Sequence, residues 1–283
     1  MSAALRTIVR GAYDLQHLRI QMGNRLASNF KAKLGQAPSK PEEELDAEGK
    51  NILASLRASH KKLTDGVKTF PRQATFKGDE VISSYTELCL IGQYLDLEKS
   101  EDEHFRRLGQ ILRDYPIYTK FLEGVKGIGP AMAGVLISEI DIHAAKYPSS
   151  LWKYAGLDVA DDGAGRSRRS EHLVDVTYTT KDKKEASRKS ITFNPWLKTK
   201  LYVLGTCLMK TSGPYKKVYD DYKHRLESHT NWQERTKGHR HNAAIRYMLK
   251  IFLIDLYNEW RTIEGLPVAP SYQEAKLGHR HAA

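Results

Sequence analysis

Cysteine is scarce in this sequence of 283 residues. Cys89 and Cys207 each sit alone inside an apolar helical pattern, and neither has a C-x-x-C neighbour. That spacing argues against a disulfide framework or a cysteine-based zinc site, and reads as two small buried hydrophobes in a reducing compartment. No run of about 18 apolar residues occurs, so no segment reads as a membrane span. Met1 to Arg10 leads directly into an arginine-rich amphipathic stretch. No signal peptide is therefore expected, and the expected location is the cytoplasm or nucleoid. A G-x-x-x-x-G-K-[ST] loop is missing, which argues against ATP use. Metal-dependent phosphoryl transfer needs clustered carboxylates, and no strand-borne Asp or Glu begins such a set. The acids Glu42, Glu43, Glu44, Asp46 and Glu48 gather at a helix start, where the helix dipole favours them. No metal or other cofactor is expected, and no catalytic residue.

Positive charge is what the chain has in excess. The formal net charge is +11 and the sequence pI is about 9.4. Lys and Arg that neutralise phosphates release condensed counterions, so a surplus of this size points to a polyanionic partner. Hydrophobic residues make up 40% of the chain, enough for a core without help from membrane or metal.

Periodicity predicts a mainly α protein. Leu5 to Lys33 reads as one long helix, with Leu5, Ile8, Val9, Ala12, Leu15, Leu18, Met22, Leu26 and Phe30 on one face. Arg6, Arg10, Arg19, Arg25, Lys31 and Lys33 line the rest, and two readings of that basic face stand open: a solvated coiled-coil flank or a phosphate-facing surface. Gly35, Pro38 and Pro41 end it. Further helices are expected over Glu43–Asp65 (stripe Leu45, Ile52, Leu56, Leu63), Glu80–Leu97 and Glu101–Arg113. Long helices with narrow stripes suggest a helical hairpin or coiled coil that packs on a second copy, or else a bundle within one chain. After Pro116 the spacing predicts short helices over Ile117–Gly124, Ala131–Ile140 and from Pro148 to Gly156. A β-hairpin follows, Leu173–Thr179 returning as Ser187–Phe193, then helices Pro195–Lys210, Pro214–Leu226 and His239–Ile263. The domains expected are a helical coiled-coil dimerisation region over 1–114, a helical nucleic-acid-binding domain over 115–265, and a tail over 266–283.

Three features carry candidate chemistry. The first is helix–Gly127-Ile128-Gly129–helix, the pattern of a helix-hairpin-helix. Its glycines allow a tight turn, Pro130 suits the first helical position, and the free N–H groups of the second helix with Lys126 could meet a phosphate. A plain helix connection without ligand is the alternative. The second is a basic run on and around the hairpin: Arg166, Arg168, Arg169, Lys181, Lys183, Lys184, Arg188, Lys189, Lys198 and Lys200. Only Glu171, Asp175, Asp182 and Glu185 interrupt it, leaving a surplus of six over 163–200. Tyr178, Phe193, Asn194 and Trp196 lie among these charges and could stack on bases or touch ribose. The third is Gly238-His239-Arg240-His241, repeated as Gly278-His279-Arg280-His281. Histidines two apart at a helix start do not converge on one metal, which leaves phosphate contact or no role.

With these residues in view, a family likeness emerges. Gly124-Val-Lys-Gly-Ile-Gly-Pro-Ala-Met-Ala-Gly-Val-Leu-Ile-Ser-Glu-Ile140 resembles the helix-hairpin-helix of the DEDD-type insertion-sequence transposases that use a bridge RNA. Tyr147-Pro-Ser-Ser-Leu-Trp-Lys-Tyr-Ala-Gly-Leu157, the Gly/Ser/Arg stretch Gly163–Ser170 and the helix opening at Pro214-Tyr215 are similar to later segments of that family. The family places a nucleophilic serine after its A-G-L segment, and Ser167 or Ser170 would be the counterpart. The sequence begins where the RuvC-like nuclease domain of those enzymes would end, so the resemblance implies a chain without that domain's metal-binding acids. A serine without its metal partners is a weak nucleophile, and both serines are expected to contact phosphate or shape the loop. A coiled coil joined to such a domain also resembles the Nop domain of box C/D ribonucleoproteins. The Tas group, associated with tandem interspaced guide RNAs, is the nearest likeness in its nuclease-less form. The resemblance implies a homodimer that holds a guide RNA, recognises target DNA through it, and works with a separate nuclease where cutting is needed. A transposase or recombinase subunit and a sequence-tolerant architectural DNA-binding protein are the rival expectations.

Overall fold

The computed structural model describes residues 3–36, 46–67 and 69–271. The expected helix start at Glu43 with Leu45, the breakers Pro38 and Pro41, the acids Glu42 to Glu44, and the repeat Gly278–His281 lie outside these residues. Among the described residues the chain is mainly α-helical, with one two-stranded antiparallel sheet, as the periodicity predicts. It divides into two compact units, one spanning Thr7–Arg107 and the other running from Leu108 onward with the residues up to Arg6.

The first unit is built from α1 (Ala3–Lys33), α2 (Ala47–Thr64) and α3 (Tyr85–Leu112). Leu26 and Phe30 of α1, Leu53 and Leu56 of α2, and Leu88, Ile91 and Tyr94 of α3 share one core with Ile82. The three helices thus share a core within one chain. The basic face of α1 is largely engaged within the chain. Arg19 and Gln16 meet the buried Glu101, Lys31 holds Asp46 at 2.6 Å, and Lys33 holds Glu87 at 3.0 Å. The two helices expected over Glu80–Leu97 and Glu101–Arg113 are one continuous helix, α3. Its start is five residues later than expected because Ser84 and Glu87 form a capping box. The Glu87 N–H donates to Ser84 Oγ at 3.2 Å, and the Ser84 N–H donates to the Glu87 carboxylate at 3.3 Å. Ser100 does not break the helix because its polar neighbours face solvent or, like Glu101, find a partner across the bundle.

The second unit holds α4 (Pro116–Lys120), α5 (Pro130–Glu139), α6 (Pro148–Tyr154), β1 (Val174–Thr179), β2 (Glu185–Ser190), α7 (Pro195–Lys210), α8 (Pro214–Ser228), α9 (Thr230–Gln233) and α10 (Lys237–Ile263). The helix expected over Ile117–Gly124 is split into α4 and a 3₁₀ turn at Leu122–Gly124. Strand β2 starts two residues earlier and ends three earlier than expected, because Ile191–Asn194 turns to start α7. Proline at the first helical position opens α4, α5, α6, α7 and α8, where its missing N–H costs nothing. The core gathers on α10, whose Met248, Leu249, Phe252, Leu253, Leu256 and Tyr257 are fully buried. Gly205 lets α7 lie against α10, since a Cβ there would come within 2.7 Å of Ile245. From α10, Tyr257 donates to Lys146 O at 2.7 Å and Arg261 to Ala145 O at 2.7 Å, which pins the chain between α5 and α6.

The end of α6 depends on one glycine. Gly156 has φ of +64°, and a Cβ there would fall 2.6 Å from the ring of the buried Phe193. Gly163 has φ of +76° with open space around it. Gly163→Ala is expected to cost about 1–2 kcal/mol for the left-handed backbone alone. Gly156→Ala adds overpacking against Phe193 and should cost about 2 kcal/mol or more in total. Urea denaturation of the two variants checks the order, and equal losses would remove the steric part of the argument.

Candidate nucleic-acid interface

The helix-hairpin-helix turn forms as its glycines require. Gly127 adopts φ of +98°, and a Cβ there would lie 3.2 Å from Cys207 O. Its need for glycine thus comes from close packing on the end of α7, where Thr211 Oγ1 also donates to Lys126 O at 3.2 Å. Gly129 is the residue that faces open space, immediately before the exposed Pro130 and the amide end of α5. Lys126 is exposed beside it. The remainder of α5 is buried from Met132 to Glu139, so only its N-terminus is presented.

Strands β1 and β2 pair in register, with Val176 opposite Arg188 and Tyr178 opposite Ala186. Alternation puts Val174, Val176 and Tyr178 on one face together with Arg188. All three apolar residues are 40% exposed or more. The Arg188 guanidinium lies 5.4 Å from the Tyr178 ring, a cation–aromatic pair open to solvent. The other face carries Asp175 opposite Lys189. At the tip, Lys181, Lys183 and Lys184 are exposed. The Lys183 N–H donates to Thr180 O at 3.0 Å and the Thr180 N–H to Lys184 O at 2.8 Å. This geometry places Lys183 at φ of +58°, a position that favours glycine.

The loop before the hairpin is held by polar contacts. Arg166 binds Asp158 through Nε and Nη2 at 3.1 and 2.9 Å, and this contact raises the guanidinium above its ordinary range. Ser167 Oγ lies 2.9 Å from Nδ1 of His172, and His172 Nε2 lies 3.1 Å from Asp162 Oδ2. The backbone N–H of Ser167 also donates to Nδ1 at 3.0 Å. Nδ1 is therefore the acceptor, and Nε2 carries the proton that faces Asp162. The Ala164 amide and then the His172 ring hold the Asp162 carboxyl below its usual range. Serine, histidine and aspartate so joined follow the order of a hydrolase triad with the two ring nitrogens exchanged, Nδ1 facing the serine and Nε2 the aspartate. The same contacts also pin the loop around a buried imidazole. Arg168 and Arg169 are exposed next to it, and Ser170 donates to Glu171 at 3.1 Å.

Several expected contact residues are committed inside the fold. Asn194 caps α7 by accepting from the amides of Trp196 and Leu197, while its Nδ2 donates to the buried Glu139 at 2.8 Å. Lys198 donates to Arg166 O and lies 4.7 Å from the Phe193 ring. Lys200 sits 5.6 Å from the half-buried Trp196 ring. Arg240 donates to Trp232 O and Arg235 O and closes the turn before α10. His239 meets the Thr236 cap at 2.9 Å, and His241 meets the Tyr219 hydroxyl at 2.6 Å. No group of three or more His, Cys, Asp or Glu able to hold a metal ion occurs among the described residues.

The helix α7 sets the spacing of the patches. The glycine turn packs at Cys207, and the loop packs at Lys198, so the two contacts are roughly nine residues or about 14 Å apart along the helix. Sequence reasoning missed Asp162 and His172. They are ten apart in irregular chain, where no periodicity signals proximity, and only an acid–serine–histidine order within a dozen residues could have flagged them.

Residues 119–176 match the model of the transposase IS116/IS110/IS902 family. That stretch holds the glycine turn, α5, α6, the Ser167–His172–Asp162 loop and the start of β1, and over it the chain is transposase-related. No curated protein matches the chain. The hairpin tip outside the matched stretch yields a prediction of its own. Lys183→Gly removes a left-handed lysine and should raise stability by up to about 1 kcal/mol. Thermal denaturation reads this directly, and a loss of stability would mean that the lysine side chain supports the turn.

Proposed function

We propose that this protein is a transposase-related nucleic-acid-binding protein that holds a structured guide RNA, with no strand cleavage of its own. The observation that carries the proposal is the hairpin, a solvent-exposed sheet whose apolar face is uncovered while its tip and edges carry Lys181, Lys183, Lys184, Arg188 and Lys189. Two strands alone are marginally stable in water, so an uncovered pair with an apolar face gains by docking onto a partner. The surplus of positive charge makes a phosphate backbone the fitting partner. A left-handed lysine at the tip supports the same reading, since backbone strain tends to be kept where function uses it. The choice of RNA draws on the likeness to Nop-domain and Tas-group proteins. In that reading the guide supplies sequence by base pairing with target DNA, the protein grips shape and backbone, two copies associate through the N-terminal helices, and any nuclease is a separate chain.

A second reading has an observation in its favour. The Ser167–His172–Asp162 chain would suit a recombinase subunit in which Ser167 attacks a phosphodiester phosphorus, His172 takes its proton, and a bridging P–O bond breaks to leave a phosphoserine ester and a strand end with a free hydroxyl. The Ser167 amide competes for the same imidazole lone pair, which favours the structural role. Incubation with labelled target DNA separates the two: the first reading expects no covalent protein–DNA adduct, and an adduct lost in Ser167→Ala would establish the second.

The binding proposal is tested by the salt dependence of RNA affinity. Lys183→Ala/Lys184→Ala is expected to weaken binding and flatten the log–log salt slope by about 1.4 for a single strand. An unchanged slope would remove the hairpin tip from the interface. Sequencing the nucleic acid that co-purifies from the native host should reveal one small RNA class, and random fragments or DNA alone would overturn the guide assignment.

A further inference from the structure

A groove of about 510 Å³ lies between α7 and α10, lined by Lys198, Tyr202, Val203, His241 and Asn242 among others. It is separate from the hairpin, and it is shallow and open to solvent. Arg246, one helical turn after Asn242 on α10, acts electrostatically on Lys198 and on Tyr202. Arg246 is half-buried and makes no ion pair or hydrogen bond among the described residues. Its guanidinium lies directly on the chain at Gly165, where a Cβ would fall 1.9 Å from Nη1. One further turn along α10, the half-buried Lys250 rests 5.1 Å from the Trp152 ring.

Three half-buried cations thus stand together. The carboxylate that acts on Lys198 and Lys250 is Asp158; Arg166 binds its Oδ2, while its Oδ1 is buried without a hydrogen-bond partner. Burial, and then the neighbouring Arg246, pushes the Lys198 and Lys250 ammonium groups below the usual amine range. Lys198 donates to Arg166 O and lies over the Phe193 ring, and Lys250 lies over the Trp152 ring, so Arg246 is the cation of the three with no counter-group, an electrostatic cost that a phosphate would relieve. Beside them the groove offers an aromatic ring and polar edges. His241 Nδ1 is engaged by Tyr219, which leaves its Nε2 without a hydrogen bond among the described residues.

We propose that the α7–α10 groove seats one unpaired nucleotide of the bound RNA, its phosphate on Arg246 and its base against Tyr202, His241 and Asn242. The inference rests on the reading that the protein binds RNA. A shallow groove between two packed helices offers a surface for a splayed-out base, the form in which single strands are generally recognised. Aromatic stacking supplies affinity with little sequence demand, and the His241 and Asn242 edges supply discrimination.

The test uses the full chain and three 12-nucleotide probes: single-stranded RNA, single-stranded DNA of the same sequence, and duplex RNA. Val203 is 49% exposed, so Val203→Trp fills the groove without touching the core or the charge. Arg246→Gln removes the unpartnered cation. Both variants are expected to bind single-stranded RNA about tenfold more weakly while duplex RNA, gripped by the hairpin, changes by less than about twofold. A 4-thiouridine in the single-stranded probe should crosslink to Tyr202 or His241. If wild type binds RNA and both variants bind it equally well, the groove is not the seat. A tighter grip on the DNA strand, lost in the same variants, overturns the choice of RNA. If wild type binds none of the probes, the underlying RNA reading fails and the groove assignment with it.

Discussion

The carboxylate of Glu139 is the junction on which the second unit depends. It is almost completely buried at the end of α5, where an unpaired charge would be strongly destabilising. Asn194 Nδ2 donates to one oxygen at 2.8 Å, and Arg6 Nε stands 3.3 Å from the other. The same Asn194 caps α7 with its carbonyl oxygen, and its backbone N–H donates to Tyr154 O at the end of α6. One side chain therefore fixes where α7 begins relative to α5 and α6. Because α7 supports the glycine turn at one end, the loop at the other and the groove along its length, its placement sets the geometry of all three.

Positive charge is put to two uses in this chain. Arg166, Arg240, Arg19, Lys31 and Lys33 satisfy carboxylates or carbonyls of their own fold. Exposed pairs of this kind contribute little to stability, but Arg19 at the buried Glu101 and Arg166 at Asp158 are partly shielded from water and hold irregular or buried chain in place. The cations at the hairpin tip and along α10 are different. Lys181, Lys183 and Lys184 are exposed, and Arg246 is half-buried with no ion pair or hydrogen bond among the described residues.

The serine loop shows how one arrangement serves folding and invites chemistry. His172 is buried, accepts from the Ser167 amide and donates to Asp162, so the ring closes the loop as a cap would. A hydroxyl left beside that ring has the neighbours of a nucleophile whether or not it reacts. The family match over residues 119–176 covers this loop, which makes the choice between scaffold and reactive group a question about Ser167 itself.

Long helices were legible in the sequence, because α1 and α10 carry apolar residues at three- and four-residue spacing over many turns and proline marks the starts of five others. The hairpin was legible from alternation and its charged turn, and the requirement for glycine at Gly127 from the turn it had to make. Short-range capping also lay in the sequence at Ser84 and Glu87, but it competed with an apolar residue, Ile82, whose burial belongs to the bundle and not to a helix. What only the tertiary structure decided is which polar residues are already engaged. Asn194, Arg166 and Arg240 looked available for a ligand because composition records charge and not partners. Asp162 and His172 looked unremarked because irregular chain has no period. Periodicity encodes the faces of regular elements, so the sequence by itself determined the helices, the strands and the sign of the surface. Pairing between distant polar groups depends on how those elements cross, and that is settled only once the core around α10 has closed.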